Sequence, residues 1–317
     1  MSGPKKSALR DPINSDDKRC NAYISFEGIH ICFIVVFVIC LDIVGFGSAR
    51  WSSPERCKLF DSKSGVVSEL PRMNVARTRR PGVVAIQRGT THRIYVFGGF
   101  DDETDGLDSC EYIDIGESNW ILLGKKMASP RSATCAVLLD HNTVVICGGG
   151  HNPYERGGLV SCEVFDLTTH TFSPFPDMLE SRYGHSGVHY DGTIVVIAGC
   201  ERMKTCEQFD PVTFRWAPFP PLREGRHYFG AAVVDGKIYV AGGYTVEVYD
   251  GSAWSVATYL YCHSCKAVAL EGRLVVIRGG DDHFLTASDT FDTATHEWSS
   301  RYGKGELTGG YINIVSF

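Results

Sequence analysis

The stretch RYGHSGVHYDGTIVVIAGC, residues 182–200, returns 44 residues later as RHYFGAAVVDGKIYVAGGY, residues 226–244. A chain built of copies has few folds open to it, because each copy must bury its apolar faces against the next. The plan of one copy is a strand, an acidic-Gly turn, a second strand ending in Gly-Gly, and a third strand ending in aspartate ahead of an aromatic. IYVFGGF (94–100), VVICGGG (144–150) and VVIRGGDD (275–282) close the second strand of three further copies. The later signal is as regular. Asp61, Asp114, Asp166, Asp210 and Asp292 are each followed six residues on by Val67, Trp120, Phe172, Trp216 and Trp298, and Asp250 is followed by Trp254 at four.

Each recurring feature has a mechanical reason. The pairs Asp191-Gly192, Asp235-Gly236 and Glu271-Gly272 suit two-residue hairpins, because such turns require positive φ. Gly-Gly lets a strand end where no Cβ is tolerated. The aromatic is a plate to pack between neighbouring sheets, worth about 1.5–3 kcal/mol when buried. Alternation of the V-x-V kind gives each strand two faces, and one four-stranded sheet cannot bury both alone. The copies must therefore stack radially and close on themselves.

On the Gly-Gly dipeptides at 98–99, 148–149, 242–243 and 279–280, the variant Ala198-Gly199 and the spaced aromatics, the chain resembles the kelch-repeat family. The match is strong over 77–300 and weaker over 45–73. The resemblance implies an all-β, six-bladed kelch-type β-propeller with repeats near 29–73, 77–127, 131–178, 182–222, 226–260 and 262–300. The first copy is degenerate, with Gly45-Phe46-Gly47 in place of Gly-Gly and Val67 in place of the aromatic. In the last copy Cys262 falls where Arg182 and Arg226 stand in theirs. Residues 301–317 are expected to supply a closing strand to the first blade, since Tyr311 to Phe317 alternates.

Cysteine placement says more than the count of 12. Cys57, Cys110, Cys162 and Cys206 recur four residues before an aspartate, so they occupy one position in different copies and are not expected to pair with one another. A small buried apolar site explains them, which favours a reducing compartment. Cys262 and Cys265 have C-x-x-C spacing without the second half-site that structural zinc normally needs, and read as strand residues. Net charge is −6 with no long basic run, which disfavours nucleic acid as a partner.

Kelch propellers are mostly binding platforms, so the resemblance implies a scaffold that holds a peptide or partner domain on its loop face, as a substrate-recognition subunit does. The loops after Gly-Gly carry Tyr154 and Tyr244. The segments opening each copy carry Arg131, Arg182 with Tyr183, and Arg226 with His227 and Tyr228. Arginines spaced around a ring and interleaved with Tyr and His suit an acidic peptide. The alternative is that each arginine ties the fold together through backbone carbonyls or a carboxylate. Enzyme motifs are lacking: no G-x-S-x-G, no H-E-x-x-H, no phosphate loop before a helix. Some kelch relatives are copper oxidases or iron-dependent specifier proteins, which leaves a cofactor-dependent enzyme as the second reading. No cofactor is expected, and His151, His185 and His227 read as plain loop residues.

The most apolar run is HICFIVVFVICLDIVGFG, residues 30–47. Its core, Ile29 to Leu41, is short of the ~20 residues a bilayer-spanning helix needs, and its Val, Ile and Phe suit buried strands. It is read as part of the first blade of a cytoplasmic protein, with a membrane anchor through residues 29–47 as the alternative. Residues 1–28 are polar, mixed in charge and expected to be disordered.

Overall fold

The computed structural model describes residues 34–40, 57–61, 67–77, 80–101, 105–151, 157–200, 203–262, 264–279, 285–302 and 311–316. They are strands and turns, without a helix. The strands β1 (Ile34–Cys40), β2 (Cys57–Asp61) and β3 (Val67–Leu70) belong to a first sheet. β4 (Gly82–Arg88), β5 (Thr91–Phe97), β8 (Cys110–Asp114) and β9 (Ile121–Leu122) make the second, and β6 (Phe100–Asp101) and β7 (Asp105–Gly106) pair as a separate short ribbon between β5 and β8. The third holds β10 (Cys135–Leu138), β11 (Thr143–Cys147), β12 (Cys162–Asp166) and β13 (Thr171–Phe175). The fourth holds β14 (Ser186–Tyr190), β15 (Thr193–Ile197), β16 (Cys206–Asp210) and β17 (Arg215–Phe219). In the fifth are β18 (Gly230–Val234), β19 (Lys237–Tyr249) and β20 (Trp254–Cys262). β21 (Ser264–Leu270), β22 (Arg273–Gly279), β23 (Leu285–Asp292) and β24 (Glu297–Tyr302) form the sixth, and β25 (Tyr311–Ser316) ends the chain.

All pairing within these sheets is antiparallel, in the meander order of a propeller blade. The first strands of successive sheets touch in a closed cycle, β4 to β10, β14, β18, β21, β25 and back to β4. β25 takes the first place in the sheet that starts the chain, in the order β25-β1-β2-β3. Its register against β1 runs from Val35 opposite Ser316 to Cys40 opposite Tyr311. Residues 34–40 of the apolar run are thus a strand between two others, whereas the rest of that run, residues 29–33 and 41–47, lies outside the described residues. So does the 1–28 tail. Among the described residues no helix is long and apolar enough to cross a membrane.

Five sheets have four strands, and here the expectation of six full blades is corrected. The fifth sheet has three. The cause is the short connection after Gly243, only six residues before Asp250, where the third copy spends sixteen between Gly149 and Asp166. With no loop to insert, one strand assignment runs from Lys237 to Tyr249. It carries both the residues that pair β18 and those that pair β20.

The turns and aromatics behave as their chemistry requires. Asp191-Gly192, Asp235-Gly236 and Glu271-Gly272 all have both residues at positive φ, the type I′ pattern. Trp120, Trp216 and Trp254 are buried, and each donates its indole N–H to the carbonyl of a proline leaving the preceding sheet: Pro71, Pro176 and Pro220 at 2.8, 2.8 and 2.7 Å. The indole of Trp216 lies in an apolar cluster with Cys135, Val145, Cys147 and Phe175 of the third sheet, so each aromatic joins two copies.

Candidate functional site

The arginines that open each copy are not on the surface. Arg77, Arg131, Arg182 and Arg226 are buried, between 0% and 4% exposed. Each guanidinium meets a glutamate of its own sheet: Arg77 with Glu111 at 2.9 Å, Arg131 with Glu163 at 3.0 Å, Arg182 and Arg226 with Glu207 and Glu247, both at 2.8 Å. The other donors are taken too, with the Nε of Arg226 excepted. Arg182 Nη1 donates to the carbonyls of Ala198 (2.7 Å) and Thr205 (2.8 Å), and Arg131 Nη1 to those of Gly148 and Ser161 (both 2.8 Å). The glutamates also accept backbone N–H groups just before the arginine, as Glu207 does from Leu179 and Glu180. A buried charge pair with both ends hydrogen-bonded in this way is a structural clamp.

The same residues hold consecutive sheets together through their backbone. The carbonyls of Arg131, Arg182 and Arg226 accept from the N–H of Gly99, Gly149 and Gly199 in the preceding copy, at 2.8, 2.8 and 3.0 Å. That contact explains the Gly-Gly. Gly148 sits at φ +58, and a Cβ there would stand 2.5 Å from the Arg182 carbonyl oxygen. The expectation that Arg131, Arg182 and Arg226 grip an acidic partner is therefore corrected: their charge is matched inside the fold, and the alternative of a tie through carbonyls and a carboxylate holds. Sequence reading missed Arg77 and all four glutamates. The signal was present, since Glu111, Glu163 and Glu207 each follow the recurring cysteine directly.

Tyr183, His227 and Tyr228 are partly buried and lie where the copies meet around the axis. Backbone bonds run from Gly184 N–H to the Ala133 carbonyl, from Tyr228 N–H to Gly184, and from Cys265 N–H to Tyr228. Arg80, ahead of the second sheet, crosses to the fifth. Its guanidinium stands 4.9 Å from the centre of the Tyr228 ring and donates to the Tyr228 carbonyl at 3.1 Å. Tyr154 lies outside the described residues. His185, expected in a loop, is buried at 3% exposure. Among the described residues no three His, Cys, Asp or Glu side chains are arranged to hold a metal.

Tyr244 is different. It is 68% exposed at the Gly-Gly end of the fifth sheet, beside Tyr261 (54% exposed) with ring centres 5.1 Å apart. Tyr259, 76% exposed, stands opposite Thr245 in the same sheet. Three exposed tyrosines at one end of one sheet make a surface of the amphipathic kind that interfaces favour.

The comparisons with known proteins agree with this architecture. The family model of the KLHDC2/KLHL20/DRC7 Kelch-repeats domain matches residues 42–243. The chain belongs to the kelch-repeat family, and its fold is an all-β propeller. An F-box/kelch-repeat protein of Arabidopsis thaliana is 27% identical over 160 residues, which cover 50% of this chain and 44% of that protein. Kelch-like protein 41a of Danio rerio is 29% identical over 106 residues, covering 33% of this chain and 17% of its own length. The matched regions thus span less than half of these relatives. The solved structure of YjhT shares the fold, with a TM-score of 0.67 and 11% identity, covering 78% of this chain and 91% of that one.

Proposed function

We propose that the chain is a protein-interaction scaffold, and that its partner docks at the Gly-Gly end of the fifth sheet on Tyr244, Tyr259 and Tyr261. The observation that carries this reading is the exposure of three tyrosines together, where every other aromatic side chain described in the strands is buried or half-buried. Tyrosine offers large contact area at low entropic cost and is enriched among the residues that dominate binding energy. On this reading the three-stranded sheet counts as the sixth blade of the ring, and Tyr183, His227 and Tyr228 line the inner rim of the same face. The F-box and kelch-like relatives support a role in recognising substrates for a larger assembly. An acidic partner has less support, because the arginines that suggested it are matched by glutamates.

The test compares proteins captured by the purified chain with those captured by a Tyr244→Ala/Tyr259→Ala/Tyr261→Ala variant. The expected result is loss of specific partners, at least tenfold in affinity once one is purified, with an unchanged melting temperature. An identical set of partners for both proteins sinks the proposed surface. The enzyme reading gains ground only if stoichiometric copper or iron accompanies the purified chain.

A further inference from the structure

Cysteine stands on three adjacent strands at one level in the third sheet. Cys135 of β10 lies opposite Cys147 of β11, and Cys147 lies opposite Cys162 of β12. The other copies act as internal controls. The same level reads Gly82, Phe97 and Cys110 in the second sheet and Ser186, Ile197 and Cys206 in the fourth. The recurring third-strand cysteine thus has thiol neighbours in the third sheet and not in these two.

Register decides how close the sulfurs come. Leu139 N–H donates to Thr143, which makes that pair hydrogen-bonded, and alternation along β10 and β11 makes Cys135–Cys147 a hydrogen-bonded pair. Across β11 and β12, Leu167 N–H donates to Asn142 and Gly148 N–H to Ser161, so Cys147–Cys162 is a non-hydrogen-bonded pair. The Cα separations of such pairs are about 5.5 and 4.5 Å, both inside the range a disulfide spans. The second pair brings its side chains closer.

A proton carrier stands beside the row. His185 is 3% exposed, and neither of its ring nitrogens makes a hydrogen bond of ordinary geometry, although the imidazole acts on the Cys135 thiol. Its Cε1 lies 3.0 Å from where a Cβ on Gly148 would be, next to Cys147, while Cys135 Sγ lies 2.8 Å from the Cβ position of Gly187. The imidazole and the first sulfur therefore meet at the boundary between the third and fourth sheets. Hydrogen bonding to Cys147, opposed by burial and aided by His185 and Lys266, holds the Cys135 thiol well below its usual range. Contacts with Cys135 and Cys162, with burial, push Cys147 up. Cys135 is also the most exposed of the three, at 9% against 0% and 3%.

We infer that Cys135, Cys147 and Cys162 form a peroxide-responsive thiol relay served by His185. The Cys135 thiolate attacks hydrogen peroxide and breaks its O–O bond, giving a sulfenic acid and, after protonation of the leaving hydroxide, one water. The Cys147 sulfur displaces the sulfenic hydroxyl as a second water, forming the Cys135–Cys147 disulfide. Cys162 loses its proton, attacks Cys147 and forms the Cys147–Cys162 bond, and the released Cys135 thiolate takes up one proton through the His185 beside it. Overall two thiols and one peroxide become one disulfide and two waters.

The test treats the full chain with hydrogen peroxide, alkylates the remaining thiols in denaturant and maps tryptic peptides. Cys135 and Cys147 share peptide 132–156, and Cys162 lies in 157–182. The expected result is a dithiothreitol-reversible link from Cys147 to Cys162 joining the two peptides. Cys162→Ala should stop at a link within 132–156, and Cys135→Ala should slow the joining at least tenfold. His185→Gln should move the pH profile of the joining rate. All three thiols still alkylated after peroxide, while the half-buried Cys200 oxidises, overturns the proposal without any variant having to fold. So does a Cys135→Ala protein that links at the wild-type rate.

Discussion

At the scale of the residue, the recurring arginine and glutamate behave as one unit. Neither Arg182 nor Glu207 is more than 2% exposed, and each is the other's main counter-charge. Removing one partner strands the other, which typically costs about 3–5 kcal/mol. Glu207→Ala is expected to lower the unfolding free energy measured in urea by that much, and Arg182→Ala comparably. Arg182→Met/Glu207→Leu should recover much of the loss, because an apolar pair leaves no buried charge; additive losses in the double variant would show that the clamp reading is wrong. This pairing was half legible. The arginines stood out by their period, but their partners lie 21 to 34 residues away on another strand, and Glu111, Glu163 and Glu207 were overshadowed by the cysteine beside them. Lys266 makes a second prediction at this scale. Burial, with Arg80 nearby and the Cys135 and Cys265 sulfurs opposing, pulls its ammonium down to about 7. The folded state then binds fewer protons than the unfolded one between that value and 10.5, so stability rises with pH across the window. Lys266→Met should flatten the slope between pH 7 and 9 and raise stability at pH 7 by on the order of 1 kcal/mol; an unaltered pH slope in thermal melts would refute it.

At the scale of the element, Gly-Gly was legible as a strand end, but its reason was not, because the clash it avoids belongs to the next copy. Two glycines of nearly equal φ separate the causes. Gly89 has φ +60 with nothing within 4 Å of a Cβ, and Gly148 has φ +58 with the Arg182 carbonyl at 2.5 Å. Gly89→Ala pays the left-handed conformation alone, about 1 kcal/mol. Gly148→Ala must also break the Gly149 to Arg182 hydrogen bond or move a strand, and is expected to cost at least twice as much in chemical denaturation. Equal costs would mean that the sheets are free to shift apart at this seam. The fifth sheet shows the reverse case. Its four-residue spacing from Asp250 to Trp254 marked it as unlike the others, yet the merging of two strands into β19 and the exposure of Tyr259 and Tyr261 depend on pairing that no local pattern displays.

At the scale of the molecule, closure is carried by strands from both ends of the described chain. β25 pairs with β1 over six residues and also touches β4 and β21, the first strands of the sheets on either side. The alternation of Tyr311 to Phe317 was enough to foresee a strand, and the ring argument supplied its destination. Which of β25 and β1 takes the inner place was not legible, since both are short and apolar. The inner place matters because its loss opens two neighbours at once. A chain ending at residue 310 should leave the edge of β1 and the seams to β4 and β21 unpaired. Such a protein is expected to melt at least 10 °C lower, because it loses a strand paired over six residues and two seams of the ring. Adding a synthetic peptide of residues 311–317 should restore part of the melting temperature in a saturable way, because the strand brings its own pairing and needs no covalent link. A truncated chain that melts like the full one, or that ignores the peptide, would place closure elsewhere in the ring.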